Sequence, residues 1–128
     1  HPAFKRSEFY SGKDSDQNGI SDITWYTEKG KDVHWNRKSN LLAILIDGSK
    51  AETQAERDDN DFYIMFNAGP KSVHFKIAPP LSGKLWRRKI DTASVPDIYQ
   101  QGNSETLENQ LEYKVAPHSV VVLVSDSR

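Results

Sequence analysis

The sequence predicts an all-β fold, an antiparallel β-sandwich with Greek-key connections, preceded by a short N-terminal helix. Three observations predict it. Residues 62–80, FYIMFNAGPKSVHFKIAPP, read as two strands joined by a short turn. Phe62, Ile64 and Phe66 alternate with Tyr63, Met65 and Asn67, and Val73, Phe75 and Ile77 alternate with Ser72, His74 and Lys76. A period of two puts each apolar trio on one sheet face, so this stretch is expected to form a hairpin over the core. The second observation is a pair of short apolar runs, LLAILID at 41–47 and SVVVLVS at 119–125. Their length and bounding turn residues suit buried strands better than helices. The third is that no amphipathic segment is long enough to cover a sheet. A sheet apolar on one face must then cover itself with a second sheet.

The elements follow in chain order. Residues 1–12, HPAFKRSEFYSG, place a proline where the first helical turn tolerates it and a glycine where a helix stops, which predicts a short helix or helical turn. Residues 13–22, KDSDQNGISD, form a polar loop. Asp14, Asp16, Asn18, Gly19 and Asp22 stand at calcium-loop positions one, three, five, six and nine, but the twelfth is Trp25 instead of a bidentate Glu. The favoured reading is a solvated loop whose Asp and Asn side chains bond their own backbone. A metal site on Asp14, Asp16, Asn18 and Asp22 is the weaker candidate.

A short β-prone run, ITWY at 23–26, precedes the turn at 28–31, and DVHWNRK at 32–38 carries a second tryptophan. Exposed Trp faces here would suit sugar stacking, although rings covering the edge of the core are the favoured reading. Residues 49–61 are charged and aperiodic, a surface loop with room for a helical turn. In residues 83–91, GKLWRRKID, Trp86 and Ile90 fall on one face, and Arg88 on that same face breaks the alternation, predicting an edge strand or a bulge. Residues 92–109 form a polar connection punctuated by Pro96 and Gly102. A strand at 111–115, a turn at 116–118 and the run at 119–125 close the chain.

The totals exclude several functions. The 128 residues suit one domain with a real core. Seventeen basic against eighteen acidic side chains leave a charge of -1, with no basic excess for nucleic acid or an anionic membrane. No cysteine is present, which excludes disulfides and thiolate chemistry and fits a reducing, cytoplasmic setting. No apolar run approaches membrane-spanning length. The chain begins with His1, not Met, so it is expected to be a piece of something longer.

The residues offer little for catalysis. His1, His34, His74 and His118 lack metal-ligand spacing, no phosphate loop or nucleophile elbow occurs, and the carboxylates gather in loops. Glycoside hydrolysis needs two opposed carboxylates, and no such pair is visible. By itself the chain is not expected to be an enzyme, and no cofactor is assigned to it.

HPAF near the start, FYSG at 9–12, DITWYTEKGKD at 22–32, LLAILIDG at 41–48, FYIMFNAG at 62–69, WRRKIDTA at 86–93 and YKVAPHSVVVL at 113–123 occur in one order. Together they resemble the C-terminal end of bacterial glycogen-debranching enzymes and isoamylases, in the α-amylase superfamily of glycoside hydrolases. The resemblance covers essentially the whole chain. It implies a parent enzyme whose (β/α)8 barrel cleaves α-1,6 branch points by a retaining mechanism, with an Asp nucleophile and a Glu acid/base upstream of this chain. Residues 1–19 would then be the tail of the last barrel helix and a linker, and residues 20–128 the accessory β-sandwich. The barrel of the same polypeptide is the implied partner. The alternative is an α-glucan-binding module that stacks sugar on Trp25, Trp35 or Trp86.

Overall fold

A computed structural model describes residues 1–6, 8–49, 53, 58–80, 83–95, 97–99 and 105–127, with residues 126 and 127 described by backbone only. Among the described residues, eight strands follow a 3-10 turn at Pro2–Phe4. They are β1 (Ile23–Tyr26), β2 (Leu41–Ile46), β3 (Phe62–Asn67), β4 (Val73–Lys76), β5 (Lys84–Asp91), β6 (Glu105–Thr106), β7 (Glu112–Val115) and β8 (Ser119–Ser127). The fold is nearly all β and the pairing antiparallel throughout, as expected. A six-stranded sheet runs β1-β2-β3-β8-β5-β6, and β4 and β7 form a two-stranded sheet. Of the helical turn expected within 49–61, the described residues show the Thr53 N–H donating to the Ser49 carbonyl at 2.9 Å, a helical spacing; Pro96 and Gly102 lie outside the described residues. Among the described residues no helix is long and apolar enough to cross a membrane.

The apolar runs occupy the centre. β3 lies between β2 and β8, so its N–H and C=O groups are satisfied on both sides. One face of this sheet shares a buried cluster with the two-stranded sheet: Ala43, Leu45, Tyr63, Met65, Trp86, Val121 and Leu123 meet Phe75, Ile77 and Val115. Trp86 is fully buried, and its indole N–H donates to the Ala78 carbonyl at 2.8 Å. That bond removes the cost of a buried donor while the ring fills the core.

Three expectations are corrected. Residues 62–80 are not a hairpin, because β3 pairs with β2 and β8 while β4 pairs with β7. The Ala68-Gly69-Pro70-Lys71 turn is a corner that carries the chain from one sheet to the other. Turn chemistry specifies a reversal but not which strands pair across it. Phe62, Ile64 and Phe66 do share a face, but it points away from the cluster common to the two sheets, where Tyr63 and Met65 stand. Both alternating sets of β3 are apolar, so period alone cannot choose between them. Trp86 and Ile90 do not share a face either. The expected bulge falls between Arg88 and Ile90, so Arg88 pairs with Leu123 and Ile90 with Val122, on opposite faces.

Candidate functional surface

The outer face of the large sheet is apolar from strand to strand. In register, Ile23, Ile46, Phe62 and Val124 form one row, and Trp25, Ile44, Ile64, Val122 and Ile90 the next. Leu42, Phe66 and Val120 form a third. The first row is covered by the chain's own N-terminal segment. Ala3 is buried with Ile46 and Phe62, Tyr10 packs beside them, and the Phe4 ring meets Phe62 edge-on at 4.7 Å. Ile44, Ile64 and Val122 in the second row, and Leu42, Phe66 and Val120 in the third, stay half-buried. Three of the large exposed apolar residues border this face: Phe4, Trp25, and Ile98, which bridges to Ile90.

Two buried carboxylates hold that N-terminal cover in place. Asp22 accepts the backbone N–H groups of Ser11 at 2.6 Å and Gly12 at 2.7 Å, the Ser11 hydroxyl at 3.0 Å, and an Arg6 guanidinium N–H at 3.2 Å. Burial raises its pKa, but these backbone and hydroxyl donors, with the Ile23 N–H, outweigh that and hold it below the usual carboxylate range. Asp59 receives His1 Nδ1 at 2.7 Å and the Ala3 N–H at 3.2 Å.

The other proposed calcium-loop residues face one another through the backbone. Asp14 and Asp16 each accept the Asn18 N–H, and Asp14 also accepts that of Gly19. Asp16 takes the Ser49 hydroxyl at 2.7 Å, and the Asn18 amide donates to Asp47 at 2.7 Å. Asp22 points instead to residues 6, 11 and 12. Among the described residues no three His, Asp or Glu side chains converge to hold a cation. Asp47 differs from Asp22 in its balance: burial, helped by the charge of Asp61, pushes its pKa up despite the Ser49 and Asn18 donors.

The three tryptophans part company. Trp86 is 0% exposed and offers no ring face to a sugar, a correction forced by its place between the sheets. Trp35 is 67% exposed and Trp25 37%. Their rings meet edge-to-face, 5.3 Å apart at 75°, which is a corner and not a flat platform. Beside Trp35 a small hollow of about 130 Å³ is lined by Val33, His34, Arg37, Ser39, Leu41 and Leu42.

The sequence model of the family described as "Isoamylase, C-terminal" matches residues 22–124. The chain belongs to this isoamylase C-terminal family. An isoamylase of Flavobacterium sp is 31% identical over 135 residues, covering 98% of this chain and 17% of that relative. "Isoamylase 3, chloroplastic" of Oryza sativa subsp. japonica is 30% identical over 105 residues, covering 80% of this chain and 12% of that relative. The chain thus spans less than one fifth of either relative's length. In this isoamylase C-terminal domain the matched region begins at Asp22, the residue that grips Ser11 and Gly12. The apolar outer face was partly missed by sequence reasoning, and its signal was the second apolar set of each central strand: Leu42, Ile44 and Ile46, and Val120, Val122 and Val124.

Proposed function

We propose that the chain is the non-catalytic C-terminal accessory domain of a glycogen-debranching, isoamylase-type enzyme. The catalytic portion of that enzyme hydrolyses α-1,6-glucosidic branch points of glycogen or a related α-glucan in the cytoplasm. The domain packs its outer sheet face against the catalytic barrel of the same polypeptide, and residues 1–19 are the connection from the barrel's last helix. The observation that carries this reading is the open apolar face. A half-buried row of Ile44, Ile64 and Val122 flanked by exposed Trp25 suits a covered surface better than a solvated one. The family membership supports this choice of partner. Charge-bearing substitutions at Ile64 or Trp25 test it. In a polypeptide that joins this chain to its catalytic portion they should lower the thermal midpoint of the whole by more than they lower that of the isolated chain. Equal losses in both would sink the packing reading.

A second reading, α-glucan binding, is favoured by one observation, the exposure of Trp35 beside a hollow that holds His34, Arg37 and Ser39. An indole face with hydrogen-bonding neighbours is the arrangement that takes a sugar ring. Calorimetry with a branched maltooligosaccharide decides it. Saturable heat abolished in Trp35→Ala supports binding, and absence of heat from the folded chain removes it.

A further inference from the structure

The polar loop at 13–22 carries Asn18-Gly19, the one place in the sequence where a glycine follows an asparagine. We propose that this dipeptide is a self-modification site, at which the chain deamidates Asn18 with its own groups. The Gly19 amide nitrogen attacks the Asn18 side-chain carbonyl carbon, and the Asn18 amide leaves as ammonia. Water opens the resulting cyclic imide to aspartate or isoaspartate, and the new carboxylate releases the loop from the end of β2.

The fold sets a group at each reacting atom. The nucleophile is the Gly19 nitrogen, whose N–H donates to the Asp14 carboxylate at 3.0 Å. That carboxylate is the base that takes the proton as the nitrogen attacks. The electrophile is the Asn18 side-chain carbonyl, whose oxygen accepts the Ile20 N–H at 3.0 Å. This bond folds the side chain back over the Gly19 peptide. It also stabilises the negative charge that gathers on the oxygen as the carbon becomes tetrahedral. The leaving group is the Asn18 amide nitrogen, which donates to the Asp47 carboxyl group at 2.7 Å. Only this orientation of the amide satisfies both contacts, because a carbonyl oxygen cannot donate and an amide nitrogen cannot accept.

The protons and bonds balance. Gly19 forms one C–N bond to Asn18 as the bond to the departing nitrogen breaks. Asp14 takes the Gly19 proton, and Asp47 gives one to the nitrogen so that it departs as ammonia. Burial and the neighbouring charge of Asp61 favour the protonated form of Asp47 that this step uses. Solvent returns both carboxyl groups to their starting states. Water then adds to the imide and breaks one of its two C–N bonds to carbonyl carbon, which decides between aspartate and isoaspartate.

Solvent has access to the ring. Gly19 is exposed at φ 97°, and a Cβ built on it would meet nothing within 4 Å. No side chain therefore shields the attacking nitrogen. Asn67 supplies the internal contrast. It makes the same turn, accepting the Gly69 N–H at 3.0 Å, but the Ala68 N–H beside it donates to the Asn40 carbonyl at 2.9 Å. A carbonyl is no base. The Asn67 amide points at the carbonyls of Lys71, Val115 and Ala116, which have no proton to give a leaving nitrogen.

The product changes what holds the loop. Asn18 is a donor among carboxylates: its backbone N–H lies 3.2 Å from both Asp14 and Asp16, and its amide serves Asp47. An aspartate at 18 turns that amide donor into an acceptor facing Asp47, and two carboxylates at such range repel when both are ionised. Asp16, which accepts the Ser49 hydroxyl at 2.7 Å, adds a further negative charge on the same side.

Mass spectrometry of the chain incubated warm at neutral pH tests the proposal, with a synthetic peptide of residues 13–22 as the reference. Conversion at Asn18 is expected to run about tenfold or more faster in the folded chain than in the peptide, with Asn67 unchanged. Asp14→Asn keeps an acceptor for the Gly19 N–H but has no base, so conversion should fall toward the peptide rate. Asp47→Asn should slow it likewise, and it serves as the test if Asp14→Asn does not fold. Conversion no faster in the folded chain than in the peptide would overturn the proposal, because the bonds at 18–20 would then protect the amide. Folded Asp14→Asn and Asp47→Asn variants that both convert as fast as the parent would overturn it as well. Asn18→Asp, made directly, should lower the urea midpoint and speed amide exchange over 14–22 and 47–49. A midpoint and exchange equal to the parent's would overturn the release of the loop.

Discussion

Gly48 passes so close to Asn60 that a Cβ on Gly48 would lie 1.9 Å from the Asn60 carbonyl oxygen. The strand β2 has just ended there, and the chain returning toward β3 crosses over it. The crossing is locked on both sides, since the Gly48 N–H donates to the Asp61 carboxylate at 2.9 Å and the Gly48 carbonyl accepts the Asp59 N–H at 2.7 Å. The glycine is needed for its missing side chain and not for an unusual φ. Gly48→Ala must push backbone against backbone, which neither partner can avoid by a rotamer change. A loss of about 1–3 kcal/mol is expected, at the upper end because the obstruction is main chain. Urea denaturation checks it: the midpoint should fall with the slope unchanged. A midpoint equal to that of the parent would show that the 59–60 crossing yields freely.

Asp22 and Asp47 are both fully buried, yet the fold shifts them in opposite directions. The folded pKa of Asp22 lies below its unfolded value, so its stabilisation is fully present above about pH 4 and is lost as pH falls through the folded value. The folded pKa of Asp47 lies above its unfolded value. The stability it contributes is present below about pH 4 and is lost as pH rises through the folded value. Asp22→Asn is therefore expected to cost about 1–3 kcal/mol near neutral pH and to flatten the acid limb of the stability curve. Asp47→Asn removes a slope of the other sign, so its stability relative to the parent should improve as pH rises above about 4. Denaturation midpoints across a pH series distinguish them, and parallel curves for the two variants would refute the opposed shifts.

The sequence made the central strands legible and the pairing around them less so. LLAILI and SVVVLVS announce themselves by apolar runs, and both lie in the interior of the large sheet. The corner at Ala68-Gly69-Pro70 is equally visible as a reversal, but the choice between a hairpin and a change of sheet depends on where β7 and β8 arrive from far along the chain. Glu105-Thr106 pairs with Arg87 and Arg88 without any β signal of its own, held by the neighbouring strand and by the 2.6 Å contact of Arg88 with Glu105. Asp22 read as a ninth loop position because its spacing from Asp14 is right. Its carboxylate instead accepts the backbone N–H groups of Ser11 and Gly12, at 2.6 and 2.7 Å. For the surface, residue type picked out Trp25 and Trp35, but exposure separates them from Trp86, and exposure is a property of packing across strands.

Trp86 and Trp35 give the sharpest contrast for mutagenesis because the same deletion acts on opposite environments. Trp86 is enclosed by Tyr63 and the rest of the cluster between the two sheets, with ring centroids 5.9 Å apart, and its indole N–H is bonded to Ala78. Trp86→Ala removes that contact area, leaves a cavity, and orphans the Ala78 carbonyl. A loss of about 3–5 kcal/mol is expected. Trp35 keeps two thirds of its surface in solvent and touches Trp25 through an edge. Trp35→Ala forfeits little beyond that aromatic contact, so the isolated chain should lose no more than about 0.5–1.5 kcal/mol. Thermal and urea unfolding of both variants check the ratio. The stability of Trp35→Ala also makes it the sound control for the sugar-binding measurement, because a loss of heat in a folded variant reports on the ring itself. A large destabilisation by Trp35→Ala would mean that the ring is packed in solution, which would remove it as a sugar-stacking face.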